Sequence, residues 1–187
     1  MLGFHFSSRP TVSRHIEVLR KRFRARMWIF VHLRNAGFNN KELVKVYKSI
    51  LRPVHDYLSI VFHPMLTDAQ DEALEQLQSW ALKYIFGWQL SYARTRELAG
   101  IETLRVRRVD SCDKFAAKCL GSKRFASWFP LQDGGVRRSA RFTSGEKYQE
   151  FFARCDHLKN SPLFYMRRRL NGKQGKAYGK RNAQYRD

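Results

Sequence analysis

The sequence predicts an all-α fold, a helical bundle, and three observations support that prediction. Apolar residues recur at spacings of three and four over most of the first 130 residues, which is the period of an amphipathic helix. Residues that cap or stop helices, chiefly Asn, Thr and Gly, separate these segments. Hydrophobic residues make up 43% and aromatic residues 14% of the chain's 187 residues, so the chain has enough apolar surface to form a core.

The first predicted helix is the longest. It begins after Thr11, its expected N-cap, and ends before Gly37. At about 100° per residue its apolar side chains fall on one face, which predicts that this face packs in the core. The stripe consists of Val12, Ile16, Leu19, Phe23, Met27 and Phe30.

The next segment contains an internal proline. Asn39 or Asn40 is the expected N-cap of a second helix. Pro53 is expected to end or kink that helix, because proline lacks a backbone donor and crowds the preceding turn. An apolar helical stripe resumes after Pro53 and continues to residues 63–64. We therefore expect a further helix over this segment.

Three more helices are predicted between residues 67 and 121. Thr67 and Gln70 form a capping-box pattern that opens the first of them. The second is a short helix over Tyr92–Ala99, and Thr103 caps the third. Each segment ends at a glycine, in order Gly87, Gly100 and Gly121.

The two ends of the chain differ from this helical pattern. Residues 2–6 alternate apolar with other side chains, which predicts the stub of one strand with no partner before it. An independent domain would not begin within a strand, so we expect a piece of a larger protein. Residues 131–187 hold 14 Lys or Arg, 5 Asp or Glu and several glycines. We therefore predict a helical domain over residues 1–130 and a basic, partly disordered appendage over residues 131–187.

The net charge is the strongest indication of function. The chain has 36 Lys and Arg against 16 Asp and Glu, a formal charge of +20. Such an excess costs self-repulsion in a folded protein, so we expect a polyanionic partner, namely nucleic acid. No apolar run approaches the roughly 20 residues that span a bilayer, no signal-peptide pattern is present, and three widely spaced cysteines do not fit a secreted disulfide scaffold. We expect a cytoplasmic or nuclear location, no membrane and no small-molecule substrate.

The first helix carries the predicted nucleic-acid contacts on the side opposite its apolar stripe. Lys and Arg neutralise phosphates, and an indole can stack on a sugar or a base. The alternative is a solvated face whose tryptophan packs against a neighbouring element. The residues on this face are Arg14, Lys21, Arg24, Trp28 and His32, flanked by Arg20 and Arg22. A second predicted contact lies in the appendage and consists of Arg167, Arg168 and Arg169.

No catalytic residue is predicted. Asp68, Asp71 and Glu75 share one helix face, and that face could hold Mg²⁺. The preferred interpretation is that these carboxylates complement the helix dipole, because neither a phosphate-cradling loop nor a Tyr-x-Asp-Asp sequence accompanies them. We therefore do not expect this chain alone to catalyse phosphoryl transfer.

No metal ligand is predicted either. Cys112 and Cys119 are seven residues apart and share a helix face, so we interpret them as buried free thiols. A composite zinc site with residues 155–157 is the alternative. It lacks the spacing of two to four residues between paired ligands that zinc sites usually show.

Several segments taken together resemble the reverse transcriptases of non-LTR, LINE-type retrotransposons, of the jockey or I-like branch. Residues 2–4, Leu-Gly-Phe, resemble the strand that opens the thumb after the palm. Residues 52–64 resemble the R-P-V-x-(D/E)-Y-x-S segment of that family. Further similar segments are residues 74–78 (L-E-x-x-Q), 81–87 (A-L-x-x-I-x-G), and 158–163 with 165–171, which resemble the end of such reading frames.

This resemblance extends from about Leu2 to about Asn171 and implies a thumb and C-terminal segment, a helical bundle that grips the primer–template duplex. In the parent RNA-directed DNA polymerase, Mg²⁺ is held by palm aspartates, which this chain lacks. We therefore expect a chain that is inactive alone, needs no cofactor, and binds RNA or RNA–DNA duplex. The alternative is a stand-alone basic helical adaptor that binds RNA or DNA.

Overall fold

The computed structural model describes residues 12–131, 147–149 and 153–172, and this part of the chain is all-α. None of its helices is long and apolar enough to cross a bilayer. The chain divides into two compact units, and the boundary between them lies between Val109 and Asp110. The domain boundary predicted at residue 130 stays a prediction. The predicted strand stub at residues 2–6 lies outside the described residues. The helices are α1 (Ser13–Asn35), α2 (Asn40–Val46), α3 (Arg52–Asp56), α4 (Ser59–Phe62), α5 (Asp68–Phe86), α6 (Tyr92–Ala99), α7 (Leu104–Leu120), α8 (Asp156–Lys159) and α9 (Pro162–Leu170).

Helix α1 forms as its apolar stripe predicts. Thr11 lies outside the described residues, and Val12 occupies the N-cap position without a side-chain hydrogen bond. The helix ends at the C-cap Ala36, and Gly37 follows with a φ of +88°, a conformation that glycine adopts at little steric cost. Helix α1 packs against α2, α3 and α5 in the N-terminal unit. The buried stripe is Val12, Ile16, Leu19, Phe23, Met27 and Phe30.

Pro53 changes the helix geometry on its N-terminal side. The side chain of Asn39 accepts a hydrogen bond from the Glu42 N–H, and the Glu42 carboxylate accepts one from the Asn39 N–H, so α2 begins with a capping box. The helix then widens into a π-helical turn at Tyr47–Leu51, where the Arg52 N–H bonds to a carbonyl five residues earlier. Because Pro53 has no N–H and its ring crowds the preceding turn, a regular α-helix cannot continue through this position.

The chain breaks a second time after α3, which the apolar stripe did not predict. Tyr57 is extended, and Leu58 has a φ of +55°, the one positive φ at a non-glycine residue in the described part of the chain. Tyr57 is consequently 41% exposed, whereas Val54 and Phe62 of the same stripe are buried. The expectation of one helix from Pro53 to residues 63–64 is therefore wrong, and no glycine marks the break.

Helices α5 and α7 begin at the predicted caps Thr67 and Thr103, and α6 begins at Ser91, which was not predicted as a cap. The Thr67 hydroxyl accepts from the Gln70 N–H and the Gln70 side chain accepts from the Thr67 N–H, which completes the predicted capping box. Ser91 caps α6, and Gly100 ends it in a left-handed conformation. The Thr103 hydroxyl accepts a backbone N–H of α7. These local signals placed the helix ends correctly.

The C-terminal unit contains ordered helices within the predicted basic appendage. Helices α8 and α9 both lie in it, and Leu131 forms an antiparallel bridge with Tyr148. The Asn171 side chain accepts from the Tyr148 N–H and donates to the Tyr148 carbonyl, both at 2.9 Å. The appendage was predicted to be partly disordered; helices α8 and α9 lie within it, and that prediction stays untested. The other residues of the appendage lie largely outside the described part.

Candidate nucleic-acid interface

The predicted basic face of α1 lies at the protein surface. Trp28 is 60% exposed, and its ring packs edge-on against His32, one turn along the same helix, with 4.9 Å between the ring centroids. The interpretation in which Trp28 packs against a neighbouring element does not agree with this exposure. Of the other residues on this face, Arg20 is half-buried, and Arg14, Lys21, Arg22, Arg24 and His32 are exposed.

Most cations of α1 have no counter-charge among the residues that the structure describes. The helix contains seven Lys or Arg and one acidic residue, Glu17. Two of the seven tie α1 to its neighbours: Arg26 donates to the Ile50 carbonyl at 3.2 Å, and Arg34 donates to the Ile85 carbonyl at 3.1 Å. In the described part of the chain, no carboxylate forms an ion pair with the exposed residues Arg14, Lys21, Arg22 and Arg24.

The arginines at the start of α7, unlike the exposed cations of α1, are paired with carboxylates. Arg105 Nε donates to Asp71 Oδ2 at 2.5 Å, and Arg108 Nη2 donates to the other oxygen of the same carboxylate. Arg107 Nε donates to both oxygens of Asp56, at 2.8 and 2.9 Å. The Asp71 and Arg108 side chains are each only 2% exposed. These three arginines neutralise carboxylates inside the N-terminal unit. Their ion pairs were not predicted from the sequence.

The acidic face of α5 consequently has a role that the helix-dipole interpretation missed. Glu75 accepts a hydrogen bond from the Tyr92 hydroxyl at 2.6 Å and from the Arg105 N–H at 2.8 Å. Asp68 is half-exposed in the first turn of α5, 4.0 Å from Arg105 Nη2. Asp71 and Glu75 thus face hydrogen-bond donors. No group of three or more His, Cys, Asp or Glu with metal-binding geometry occurs among the described residues.

Gln78 links the buried Tyr47 to the partly buried Tyr92 in the same unit. The Tyr47 hydroxyl donates to Gln78 Oε1 at 2.8 Å, and Gln78 Nε2 donates to the Tyr92 hydroxyl and to the Glu102 carbonyl, both at 2.9 Å. Burial raises the pKa of both tyrosines, and the negative charge of Glu75 raises it further. Both phenols therefore keep their protons near neutral pH. The network is a set of hydrogen bonds that joins Tyr47 of the π-helical turn, α5 and Tyr92 within the N-terminal unit.

The three arginines of α9 differ from one another. Arg167 is 3% exposed, and its guanidinium donates to the Trp128 carbonyl, with Nε 2.9 Å from the oxygen. Arg169 Nε donates to Asp113 Oδ1 at 2.9 Å, and this hydrogen bond raises the pKa of Arg169. Arg168 is half-buried. The expectation that Arg167 contacts nucleic acid is corrected, because a buried guanidinium bonded to a carbonyl cannot reach a phosphate.

The cysteines agree with the expected free thiols. Cys112 and Cys119 are buried and unbridged, whereas Cys155 is exposed. Burial raises the pKa of the Cys119 thiol, which disfavours the reactive thiolate. The other members of the zinc alternative, Asp156 and His157, have side chains outside the described part of the chain.

The site therefore consists of one exposed helix face with one indole and four cations that have no ion-pair partner among residues 12–131, 147–149 and 153–172. Exposed Lys and Arg bind a polyanion through its repeating charge, with no bond made or broken. Arg167 and the arginines of α7 act inside the fold and do not extend this face. Comparisons of this chain with protein-family models, with curated proteins and with solved structures gave no match.

Proposed function

We propose that this chain binds nucleic acid through the exposed basic face of α1 and catalyses no reaction itself. The observation that carries the proposal is the difference between α1 and α7. The first three arginines of α7 are all paired with carboxylates, whereas Arg14, Lys21 and Arg24 of α1 are exposed and unpaired in the described part of the chain. Unpaired cations on one helix face repel each other, and a polyanion relieves that repulsion.

The residues of this face are arranged in a line along the axis of α1. Arg14, Lys21 and Trp28 recur every seven residues, which places them about 10.5 Å apart along the helix axis. The two cations hold phosphates, and the exposed indole of Trp28 stacks on a sugar of the backbone or on an unpaired base beside the duplex. Phosphate contacts fix the position of the protein but carry no sequence information, so the binding depends only weakly on sequence.

We further propose that the chain is the thumb and C-terminal segment of a non-LTR retrotransposon reverse transcriptase. The support is the order of the motifs at residues 52–64 and 74–87 together with the all-α fold of the described residues. In that role, the α1 face holds the RNA–DNA duplex of primer and template, and the Mg²⁺-dependent chemistry belongs to a palm that this chain does not contain.

The test is a charge reversal on the α1 face, Lys21→Glu with Arg24→Glu, with binding to an RNA–DNA hybrid duplex measured over a series of salt concentrations. Each lost phosphate contact should lower the log–log salt slope by roughly one unit, because fewer counterions are released. The matched control is Lys41→Glu with Lys45→Glu on α2, an equal charge change at two exposed cations. The control should keep the slope of the original chain.

Two outcomes would contradict the proposal. An unchanged affinity and slope in the α1 variant would show that the α1 face is only solvated. Equal losses in both variants would show that total charge, and not α1, determines the binding. For the thumb role, the hybrid duplex should bind more tightly than single-stranded RNA of the same length, and the α1 variant should abolish that preference.

A further inference from the structure

A second aromatic and basic cluster lies in the C-terminal unit, after α7. Residues 126–128 form a 3₁₀ turn, and Trp128 is 45% exposed at its end. The Phe125 and Trp128 rings are in edge contact, with 4.8 Å between their centroids. The guanidinium of Arg124 lies over the Phe125 ring, 5.3 Å from its centroid. We call these three residues the Trp128 platform.

The platform is held in place by its backbone. The Trp128 carbonyl accepts hydrogen bonds from the buried Arg167 guanidinium, and the Trp128 N–H donates to the Phe125 carbonyl at 3.0 Å. The Phe125 N–H donates in turn to the Ser122 carbonyl at 3.0 Å. Because the core-facing contacts use the backbone, the Trp128 side chain is left at the surface on a fixed support. An aromatic surface that is already ordered loses little entropy when a ligand stacks on it.

The surroundings of the platform are positively charged. Residues 121–131 include Lys123 and Arg124 and no acidic residue. Both cations are exposed, and neither forms an ion pair with a described carboxylate. Lys147 lies over the Tyr148 ring, 5.6 Å from its centroid, and Tyr148 is in ring contact with Phe129, the residue after Trp128. A ligand that stacks on Trp128 thus lies next to the Phe125 ring that the Arg124 guanidinium covers.

We infer that the Trp128 platform is a binding site for single-stranded nucleic acid. One base stacks on the exposed indole, and the flanking phosphates lie against Lys123 and Arg124. This site is separate from α1 in sequence and does not depend on the function proposed for it. We therefore assign the nucleic-acid contact of the C-terminal unit to this platform and not to the three consecutive arginines of α9. Arg167, one of those arginines, supports Trp128 through its hydrogen bond to the Trp128 carbonyl.

The chemistry favours a single strand over other anionic partners. Bases within a duplex are stacked on each other, so their faces are not available to an indole, whereas a single strand exposes them. An anionic membrane surface also attracts tryptophan and basic residues, but it requires a wider apolar surface. Trp128 is the exposed large apolar side chain of the platform, its neighbours Ala126 and Ser127 are small, and Leu131, 61% exposed, is the next exposed apolar residue along the chain.

The first experiment compares two exposed tryptophans. Trp128→Ala should weaken the binding of a ten-nucleotide oligo(dT) by about tenfold, as expected for the loss of one stacked base. Binding of a duplex of the same length should be unchanged. The matched control is Trp88→Ala, because Trp88 is 59% exposed between α5 and α6 and should affect neither ligand. Trp128→Phe keeps an aromatic ring and should restore most of the affinity, which separates stacking from a general loss of fold.

The second experiment measures the fluorescence of Trp128 itself. A variant with Trp28, Trp80 and Trp88 replaced by Phe retains Trp128 as its one tryptophan. Its emission should be quenched by oligo(dT) and left unchanged by duplex DNA. No quenching on oligo(dT) binding, or equal quenching by the duplex, would overturn the inference. Quenching or a blue shift with anionic lipid vesicles but not with oligo(dT) would overturn it as well, in favour of a membrane surface.

Discussion

The substitution Asp71→Asn tests the buried ion cluster between α5 and α7. It removes the negative charge while it keeps the shape of the side chain. The Asp71 carboxylate is the described partner of Arg108, whose Nε and Nη1 atoms are buried without a hydrogen bond. In the variant, a guanidinium that is 2% exposed would lose its counter-charge.

The expected cost follows from this burial. Removing one partner of a buried ion pair costs about 3–5 kcal/mol, because the remaining charge stays in the interior uncompensated. The second contact, to Arg105, adds little, since the Arg105 side chain is 25% exposed and water can replace the lost carboxylate. One kcal/mol lowers the melting temperature of a unit of this size by about 4–8 °C, so the expected decrease exceeds about 12 °C.

The assay is urea unfolding followed by circular dichroism, with Asp68→Asn as the matched control. Asp68 is 54% exposed and 4.0 Å from Arg105, so its substitution should cost less than about 0.5 kcal/mol. The double variant Asp71→Leu with Arg108→Leu should be more stable than Asp71→Asn, because it leaves no lone buried charge and the remaining Arg105 is 25% exposed to water. A cost for Asp71→Asn as small as that for Asp68→Asn would refute this reasoning.

Three further predictions concern the core, its pH dependence and the absence of catalysis. Phe23 is fully buried, so Phe23→Ala should cost about 3–5 kcal/mol in thermal unfolding; the surface changes Lys21→Glu and Arg24→Glu should each shift stability by less than about 0.5 kcal/mol, and a larger shift would place these cations in the fold. Burial, assisted by the positive charge of Arg108, lowers the pKa of His55 from 6.5 to about 3. The folded state therefore resists protonation that the unfolded state accepts, so this stability is complete above pH 6.5 and is lost as the pH falls towards 3. His55→Leu should flatten the pH dependence of urea unfolding in that window, and an unchanged dependence would assign it to other groups. The purified chain should incorporate no nucleotide on a primer–template with Mg²⁺ or Mn²⁺, and template-dependent incorporation would contradict the thumb proposal.

The parts of the fold that depend on local sequence were predictable. The stripe of α1 is buried at every predicted position, and the capping box at Thr67 and Gln70 is present. A cap depends on residues three positions apart, and a stripe depends on spacing within one helix. The break at Leu58 was not predictable in this way. No proline or glycine marks it, and Leu58 is held in a left-handed conformation between a half-exposed Tyr57 and a buried Ser59.

The buried ion cluster could have been predicted from the spacing of its residues. Asp71 and Gln78 lie on the apolar stripe of α5 with Leu74, at spacings of three and four. Arg108 lies four residues after Leu104 and four before Cys112, on the apolar stripe of α7. A polar residue on an apolar stripe is buried with its neighbours and needs a partner there. Opposite charges on the stripes of two helices therefore predict an ion pair between them.

The same distinction between buried and exposed charges explains why the net charge of +20 indicates a ligand-binding surface. A one-to-one ion pair, such as that of Asp113 with Arg169, removes one positive and one negative charge from the set that a partner can meet. Such a pair leaves the excess of positive charge unchanged and lowers the number of carboxylates that could offset it. Unpaired cations of the described residues include those on the face of α1, where no described carboxylate forms an ion pair with them. A charge opposite an apolar stripe is thus available to a ligand, and a charge on the stripe belongs to the fold.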